Sequence, residues 1–435
     1  MEILIYSARS TFRLKYVLNT VFKDLLGIGY RLTNDKEEFT NSELPKINYS
    51  QGPVTEREIL IKPSPLLFQT GIKEQNLQIG EWQGLKILFS THEEEEIPFD
   101  IFASVFFMLS RYEEYLPHIR DQYDRFEAES SIAYVHKFLE TPIVNYWVQK
   151  IKKILAAKYP GLQFKEPVYR FISTIDIDNA FAFYQKGVMR TIGGYARGIV
   201  NLNWTNIKDR SKVLAGTLPD PFDSYAYQLE MQKKYNLNVI YFFLLGDYGI
   251  NDKNLPSNNR HLQKLIKHLG DYAKIGIHPS FGSNDETDQV RKEINRLSYI
   301  THRNISDSRQ HFARLHFPST YKALIENGIQ NDYSMGYHNF SGFRAGISNP
   351  YYWYDIDTES ETNLKLFPYI FSESTLKFSL KLQANEALNA VKGLINEIKK
   401  TGGTFTSMFH NESLGDYGEW NGWRNFYEEV IQEAV

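Results

Sequence analysis

Two aspartates spaced two residues apart follow an apolar run near the middle of the chain. Phe171–Ile175 is apolar and β-branched, which predicts a short buried strand leading into Asp176 and Asp178. Because side chains alternate along a strand, both carboxylates are expected on the same side. Neighbouring carboxylates resist ionisation together unless a cation or proton lies between them. The pair therefore predicts a metal or acid–base site, with a polar strand end whose Asp caps the next turn as the alternative.

Other apolar runs in the C-terminal half also end in polar or ionisable residues. The groups at these positions are Asp247 after Val239–Leu245, His278 after Ile275–Ile277, Arg309 and His311 after the segment at Ser308, and His410 and Asn411 after Phe405–Phe409. In parallel α/β folds the chemistry collects at the C-terminal ends of strands. One Asp and two His are a standard ligand set for a divalent metal with an open coordination position. A second carboxylate can act as general base and a separate His as general acid, so the inventory predicts metal-assisted hydrolysis of an amide, an ester or a phosphate.

The elements that must position these groups change character after residue 165. Before it, helix and strand signals are mixed, with helices predicted at Thr11–Leu26, after an N-cap at Asp100, and at Ile143–Leu155. After it, strand and helix signals alternate, which predicts a parallel sheet, open or closed into a barrel. A chain of 435 residues is too long for one small core. The sequence therefore predicts a smaller α/β domain over residues 1–165 and a second α/β domain over residues 166–435.

The amino-acid composition excludes some classes of cofactor and of binding partner. The chain has no cysteine, which excludes disulfides and Cys-ligated zinc, and its net charge of -3 offers no basic field for nucleic acid. The N-terminus lacks a signal-peptide pattern, and no apolar run approaches the roughly 20 residues of a membrane span. We therefore expect a cytoplasmic protein without a nucleic-acid or membrane partner, of unspecified oligomeric state. His92 and the acidic run at 93–96 are interpreted as a surface or structural histidine and a solvated loop.

Residues 166–435 resemble the polysaccharide deacetylase family, the NodB-like carbohydrate esterases. The segments that carry the resemblance are Thr174–Asp178, similar to the first motif Thr-Phe-Asp-Asp; Gly276–Ser280, similar to the His-rich second motif; Arg309–Phe312 with Asp332–Ser334, similar to the third; and Met408–His410, similar to the last. The whole chain is similar to bacterial polysaccharide deacetylase-like proteins with an uncharacterised N-terminal domain. The resemblance implies an incomplete (β/α) barrel over residues 166–435 and a carbohydrate substrate.

The resemblance also implies a role for the main strand-end residues. It assigns Asp176 as the base and His410 as the group that protonates the leaving amine. Ile177 stands where the family has its metal-binding Asp, so Asp178, on the same face as Asp176, is expected to take that role. The expected cofactor is a divalent metal, with Zn²⁺ as the first choice, and His278 is its second ligand.

The second motif departs from the family pattern in its other histidine. Gly282 and Ser283 stand where the family has that residue, so His311 is expected to supply the third ligand from the neighbouring strand. Four more residues are candidates for substrate binding or for support of the ligands: Arg309, Arg344, Asn411 and Asp247. The aromatic residues at 351–354, with Trp420 and Trp423, are either a sugar-stacking surface or packed core.

The leading prediction is a metal-dependent hydrolase that removes N-acetyl or O-acetyl groups from a carbohydrate. A catalytically inactive carbohydrate-binding protein on the same barrel is one alternative, because the second-motif histidine is missing. A metal-dependent hydrolase of another bond, such as a phosphoester, is the other. If the protein is a hydrolase of either kind, its candidate catalytic residues and candidate ligands should lie close together. We expect all five within about 10 Å of one another, the span of a metal site and its supporting residues.

Overall fold

A computed structural model describes residues 2–91 and 95–435. His92 and the first two residues of the acidic run at 93–96 lie outside the described residues. The chain divides into two compact units. The first contains Met1–Arg170, Gly342–Pro368 and Asn396–Thr404, and the second contains Phe171–Ser341, Tyr369–Ile395 and Phe405–Val435. The first unit thus includes two segments from the C-terminal half, whereas the sequence prediction divided the chain once, between residues 165 and 166.

The first 160 residues form a parallel sheet with helices, and a separate hairpin. In chain order the elements are β1 (Glu2–Tyr6), α1 (Phe12–Leu18), β2 (Gly29–Thr33), α2 (Lys36–Asn41), β3 (Lys46–Asn48), β4 (Glu58–Leu60), β5 (Gly80–Trp82), β6 (Leu85–Ile87), α3 (Ile101–Leu109), α4 (Ile132–Val135) and α5 (Ile143–Lys158). Strands β2, β1, β3 and β4 pair in that order, all in parallel. Strands β5 and β6 pair with each other in antiparallel fashion.

The helix signals in this region follow from local chemistry. The Thr11 side chain accepts a hydrogen bond from the Leu14 backbone N–H and starts α1. The helix predicted to run on to Leu26 becomes a π-helix over Asn19–Leu25. Asp100 caps α3 as predicted, because its carboxylate accepts a hydrogen bond of 2.9 Å from the Ala103 N–H. All nine residues of α3 are buried, so this helix belongs to the core of the first unit.

The remainder of the chain alternates strands and helices. Its elements are β7 (Tyr169–Ile177), α6 (Val188–Val200), α7 (Trp204–Leu214), α8 (Tyr225–Tyr235), β8 (Val239–Leu244), α9 (Arg260–Gly270), β9 (Lys274–His278), α10 (Thr287–Thr301), β10 (Asp307–Ser308), α11 (Ser319–Glu326), β11 (Asn331–Asp332), β12 (Tyr351–Asp355), β13 (Ser360–Leu366), β14 (Phe371–Ser372), α12 (Ala384–Thr401), β15 (Gly403–His410) and α13 (Trp423–Ala434). Strands of the second unit lie in the order β11-β10-β9-β8-β7-β15-β14. The pairs from β7 to β11, and β14 with β15, are parallel. The predicted α/β class with parallel strands is confirmed.

Three features of this half differ from the sequence prediction or decide between its alternatives. Helices α6 and α7 were not predicted, because α6 carries three glycines, which weaken a helix signal. The aromatic run at 351–354 forms β12, which pairs with β13 in the first unit, and most of its side chains are buried. Trp420 and Trp423 are also buried and lie against each other, with ring centroids 5.7 Å apart. These aromatic residues are core. Within the described residues, no helix is both long and apolar enough to cross a membrane.

Arg344 lies in a buried ion network of the first unit. Its Nε and Nη2 donate to the two carboxylate oxygens of Glu114 at 2.9 and 2.5 Å, and Arg111 Nε donates to Glu114 Oε1 at 2.7 Å. The Glu114 side chain is 2% exposed. Burial raises the pKa of Glu114, but Arg344 and Arg111 outweigh it and bring that pKa down to about 2. Arg344, a candidate for substrate binding or for support of the ligands, thus binds a carboxylate of the protein in this structure.

We predict that Glu114→Gln lowers the free energy of unfolding by about 3–5 kcal/mol, because the buried Arg344 and Arg111 both lose their charged bonds to Glu114, although Arg111 keeps its ion pair with Glu113. Urea denaturation at pH 7 measures the change. Glu43→Gln is the matched control, because Glu43 is exposed and should give a change within about 0.5 kcal/mol.

The pH dependence of the same pair has a defined sign. Since folding lowers the pKa of Glu114 from its ordinary 4.5 to about 2, the stabilisation is complete above pH 4.5 and is lost as the pH falls towards 2. The stability difference between the wild type and Glu114→Gln should therefore shrink over this window. A difference that stays constant from pH 7 to pH 3 would contradict the assignment.

Candidate metal centre

The register of the second sheet aligns the strand ends that carry the candidate ligands. Ile177 pairs with Phe243, Phe243 pairs with Ile277, and Ile277 pairs with Ser308. These four residues form one row across β7, β8, β9 and β10. Parallel strands place their carboxyl ends at one edge of the sheet. The residues that follow this row therefore meet at that edge.

Asp178, His278 and His311 come together there. One ligand-type atom from each lies within 4.8 Å of the others. His278 Nε2 is 3.2 Å from Asp178 Oδ1, and His311 Nε2 is 3.3 Å from Asp178 Oδ2. His311 begins a 3-10 turn after β10, and its backbone N–H donates to Pro279 O at 3.1 Å, which holds it beside the end of β9. The carboxylate of Asp178 thus lies between two imidazoles.

Hydrogen bonds on the far side of each imidazole fix its orientation. His278 Nδ1 donates to the backbone oxygen of Arg309 at 2.5 Å, and His311 Nδ1 donates to Asp252 Oδ1 at 2.9 Å. Asp252 is itself held by the backbone N–H groups of Phe281 and Gly282. Metal-binding histidines characteristically donate their second ring N–H to a carbonyl or carboxylate in this way. Both Nε2 atoms are consequently directed at Asp178.

Two atoms of this cluster are buried and lack a hydrogen-bond partner among the described residues. They are His278 Nε2 and Asp178 Oδ1, which lie near each other without hydrogen-bond geometry. Leaving buried polar atoms unsatisfied is costly, and a cation between them would satisfy both. One carboxylate and two imidazoles are a suitable ligand set for Zn²⁺ and other first-row divalent ions. The residues present therefore fit a metal.

The charge of Asp178 lies opposite a proton on His311. Burial raises the pKa of Asp178, but the neighbouring His311, together with His278, outweighs it and holds this pKa well below its ordinary value. Burial lowers the pKa of His311, whereas Asp178 and Asp252 raise it, with a net value of about 9. A metal ion that binds here would replace the proton on His311 as the charge opposite Asp178.

Asp176 has a permanent cation beside it. Arg309 Nη1 donates to Asp176 Oδ1 at 3.1 Å and to Thr174 Oγ1 at 2.5 Å, and Arg309 Nε donates to Tyr333 O at 3.0 Å. The Arg309 side chain is fully buried. Asp176 Oδ2 lies 3.9 Å from His278 Nε2, on the side of the cluster. Arg309 therefore orients Asp176 and leaves one carboxylate oxygen directed at the metal ligands.

His410 is held on another side of the cluster by a carboxylate that sequence reasoning missed. Glu373, fully buried, accepts hydrogen bonds from His410 Nδ1 at 2.9 Å and from the His410 backbone N–H at 2.6 Å. His410 Nε2 is 4.0 Å from Asp178 Oδ2. Burial lowers the pKa of His410, but Glu373 and then Asp178 raise it well above its ordinary value. His410 is thus a protonated imidazole whose Nε2 faces the cluster.

Two of the remaining candidates make other contacts. Asn411 Nδ2 donates to Asn179 O at 3.0 Å and to Phe222 O at 3.2 Å, so it braces the chain after β7. Asp247 is largely exposed and pairs with Arg296 at 2.7 Å. Glu373 follows the two-residue strand β14 and could have been found by the strand-end rule, but Asp252 lies in a loop without such a signal.

Comparisons with known proteins give weak similarities. Residues 3–160 match a family model described as "Family of unknown function (DUF7033)", and no curated protein matches the chain. Among solved structures, the chain is similar to a protein described as a polysaccharide deacetylase from Mycobacterium smegmatis, with 15% identity, a TM-score of 0.39, and coverage of 62% of this chain and 86% of that one. It is also similar to a CE4 family pseudoenzyme from Bacillus anthracis, with 9% identity, a TM-score of 0.30, and coverage of 62% and 66%. The catalytic domain of a peptidoglycan N-acetylglucosamine deacetylase from Eubacterium rectale has 12% identity, a TM-score of 0.29, and coverage of 62% and 85%. These similarities are too weak to assign a function.

We predict that Asp178→Asn and His278→Ala abolish tight zinc binding, because each removes one of three ligands. Asp252→Asn should weaken zinc binding about 10–100-fold, since it loosens the orientation of His311 without removing a ligand. Calorimetric titration of the metal-free protein with Zn²⁺ measures each affinity. Asp247→Asn, an exposed Asp at the end of β8, is the control and should bind zinc as the wild type does. Equal zinc affinity in the wild type and Asp178→Asn would remove Asp178 from the ligand set.

Proposed function

We propose that this protein is a metal-dependent hydrolase that removes N-acetyl or O-acetyl groups from a carbohydrate. The proposal rests on the Asp178–His278–His311 cluster, which contains buried atoms without hydrogen-bond partners among the described residues. The cluster lies between the carboxylate of Asp176 and the imidazole of His410. We further propose that the second unit is an incomplete (β/α) barrel and that the first residues of the chain, up to about 165, are a domain of their own. The acetylated carbohydrate is proposed from the motif resemblance, because the cluster alone suits several acyl substrates.

The proposed cofactor is Zn²⁺, held by one oxygen of Asp178 and by Nε2 of His278 and of His311. When bound, such an ion supplies Lewis acidity to an acyl oxygen and favours ionisation of water near neutral pH. Three protein ligands are the number found in catalytic zinc sites, which keep a position open.

Asp176 is proposed as the general base. Arg309 donates a hydrogen bond to one of its oxygens and so fixes the rotation of the carboxylate. The other oxygen is directed at the cluster and can accept a proton from the water that attacks the acyl carbon. Asp178 is less suited to this role, because both of its oxygens face imidazoles.

His410 is proposed as the general acid. Glu373 accepts a hydrogen bond from Nδ1–H and favours the charged imidazole, so Nε2 carries a proton that it can donate to the leaving nitrogen or oxygen. Hydrolysis then consumes one water and releases acetate and a free amine or hydroxyl. The alternative of an inactive binding protein was based on the missing second-motif histidine, and the position of His311 beside Asp178 supports the hydrolase instead.

We predict that Asp176→Asn and His410→Ala each lower the hydrolytic kcat about 10²–10⁴-fold, because each removes one proton-transfer group. Both variants should still bind zinc, since neither residue is a ligand. Acetate release from N-acetylglucosamine oligosaccharides and from an O-acetylated xylan measures the rates, and zinc titration measures the metal. Asp247→Asn should match the wild type in both assays. A zinc-loaded wild type that binds these sugars without releasing acetate would instead support the binding-protein alternative.

A further inference from the structure

A cavity with an excess of positive charge borders the proposed catalytic centre. Its volume is about 520 Å³, within the range of small-molecule sites. Five cations line it: Lys186, Arg190, Arg197, Arg210 and Lys253. Asn179, which directly follows Asp178, and Glu412, two residues after His410, also line it, so the cavity adjoins the ligands and the proposed acid.

Arg210 is the most deeply placed of these cations and has no ion-pair partner within the described part of the chain. The residue is 9% exposed. Its Nε is buried without a hydrogen-bond partner, and its Nη2 makes one long hydrogen bond of 3.4 Å to Asn206. The guanidinium lies over the Phe183 ring, 4.5 Å from the centroid. A buried charge without a partner is costly, so this Arg is the group that a bound anion would stabilise most.

Among the described residues, the neighbouring cations form no ion pair either. The carboxylate of Asp220, whose charge acts to raise the pKa of Lys186 and of Arg210, is instead hydrogen-bonded to the backbone N–H groups of residues 182–184. Lys186 Nζ donates to the neutral Asn179 at 2.8 Å, and both Nη atoms of Arg190 donate to backbone oxygens. Burial and the charge of Arg190 lower the pKa of Lys186 to about 8. Glu412 is the one carboxylate among the described lining residues, and burial followed by Asp178 raises its pKa to about 7. The cavity therefore keeps a net positive charge.

Helices α6 and α7, which come between β7 and α8 in chain order, hold Arg210 in position. The guanidinium packs directly on the backbone of α6 at Gly194, where a Cβ atom would come within 2.4 Å of Arg210 Cζ. The helices also meet at Gly198, where a Cβ atom would come within 2.7 Å of Ile207. Gly194 and Gly198 are two of the three glycines that weaken the helix signal of α6. They allow the close packing that places Arg210 in the cavity wall.

We propose that this cavity binds an oxyanion, a carboxylate or a phosphate, carried by the carbohydrate whose acetyl group reaches the metal cluster. A guanidinium recognises both anions through paired hydrogen bonds. The assignment to a carbohydrate rests on the proposed function, whereas anion binding itself does not. An acidic glycan, with a uronate or a phosphate near the acetylated sugar, is therefore the preferred substrate class.

Calorimetric titration of the full chain with inorganic phosphate and, separately, with glucuronate tests anion binding. We expect the wild type to bind at least one of them and Arg210→Gln to bind it at least about 10-fold more weakly, as is typical when a charged hydrogen-bond donor is lost. Lys212→Gln is the matched control, because Lys212 lies on the same helix outside the cavity and should keep the wild-type affinity. Which anion binds more tightly distinguishes a uronate site from a phosphate site.

Two further variants keep the test decisive if Arg210→Gln does not fold. Gly194→Ala retains every charge but displaces the guanidinium, and Lys253→Gln removes an exposed cation from the cavity rim. Both should weaken anion binding, Lys253→Gln by less than 10-fold. Absence of binding by the wild type, or equal affinity in the wild type and the cavity variants, would overturn the proposal.

A kinetic test separates this proposal from the proposed function. A hyaluronan oligosaccharide, which alternates N-acetylglucosamine with glucuronate, is compared with a neutral chito-oligosaccharide. The ratio of kcat/KM for the acidic over the neutral substrate should fall about 10-fold in Arg210→Gln, mainly through KM. An unchanged ratio in an active enzyme would overturn the anion site, whereas no acetate release from either sugar together with intact phosphate or glucuronate binding would overturn only the deacetylase assignment.

Discussion

The placement of two carboxylates two residues apart, at the end of one buried strand, is the constraint on which the second unit depends. Each carboxylate needs a compensating charge, and the structure supplies two different kinds. Asp176 has the fully buried guanidinium of Arg309, which cannot be deprotonated. Asp178 has two imidazoles, and the proton on His311 can leave. This difference separates the roles of the two acids, because only Asp178 can exchange its present counter-charge for a metal ion.

Three histidines lie around this pair of carboxylates. The group that accepts a hydrogen bond from the Nδ1 of each imidazole determines the role proposed for that histidine. A backbone oxygen lies behind His278 and the carboxylate of Asp252 behind His311, so both present Nε2 to Asp178. The fully buried Glu373 lies behind His410 and favours its charged form. Similar imidazoles are therefore proposed as ligands in two cases and as a proton donor in the third.

Much of the site could be predicted from the sequence because it depends on local patterns. The apolar runs in the sequence predict the strands β7, β8, β9 and β15. The rule that functional groups follow the ends of parallel strands then selects the candidate ligands. The rule also selected Asp247, whose side chain is exposed, because a position at a strand end does not decide whether a side chain points inwards or to solvent. Asp252 was missed because its position depends on a loop that folds back onto His311.

Contacts between distant residues account for most of the other differences. Arg344 pairs with Glu114, 230 residues earlier in the chain, and no local pattern joins them. The side chains of Asn145 and Asn349 are likewise hydrogen-bonded at 2.6 Å within the first unit, where residues 342–368 rejoin the N-terminal part of the chain. Helix α6 was not predicted because its glycines serve close packing against α7 rather than helix propensity.

The most direct measurement of the central claim is anomalous diffraction at the zinc edge from crystals grown with Zn²⁺. The account predicts one strong peak in the second unit, about 2.0–2.2 Å from an oxygen of Asp178 and from Nε2 of His278 and of His311. Asp176 should remain bound to Arg309, and Nε2 of His410 should face the ion without ligating it. A zinc-containing crystal without a peak between these three ligands, or with the ion held by Asp176 in place of Asp178, would contradict the account.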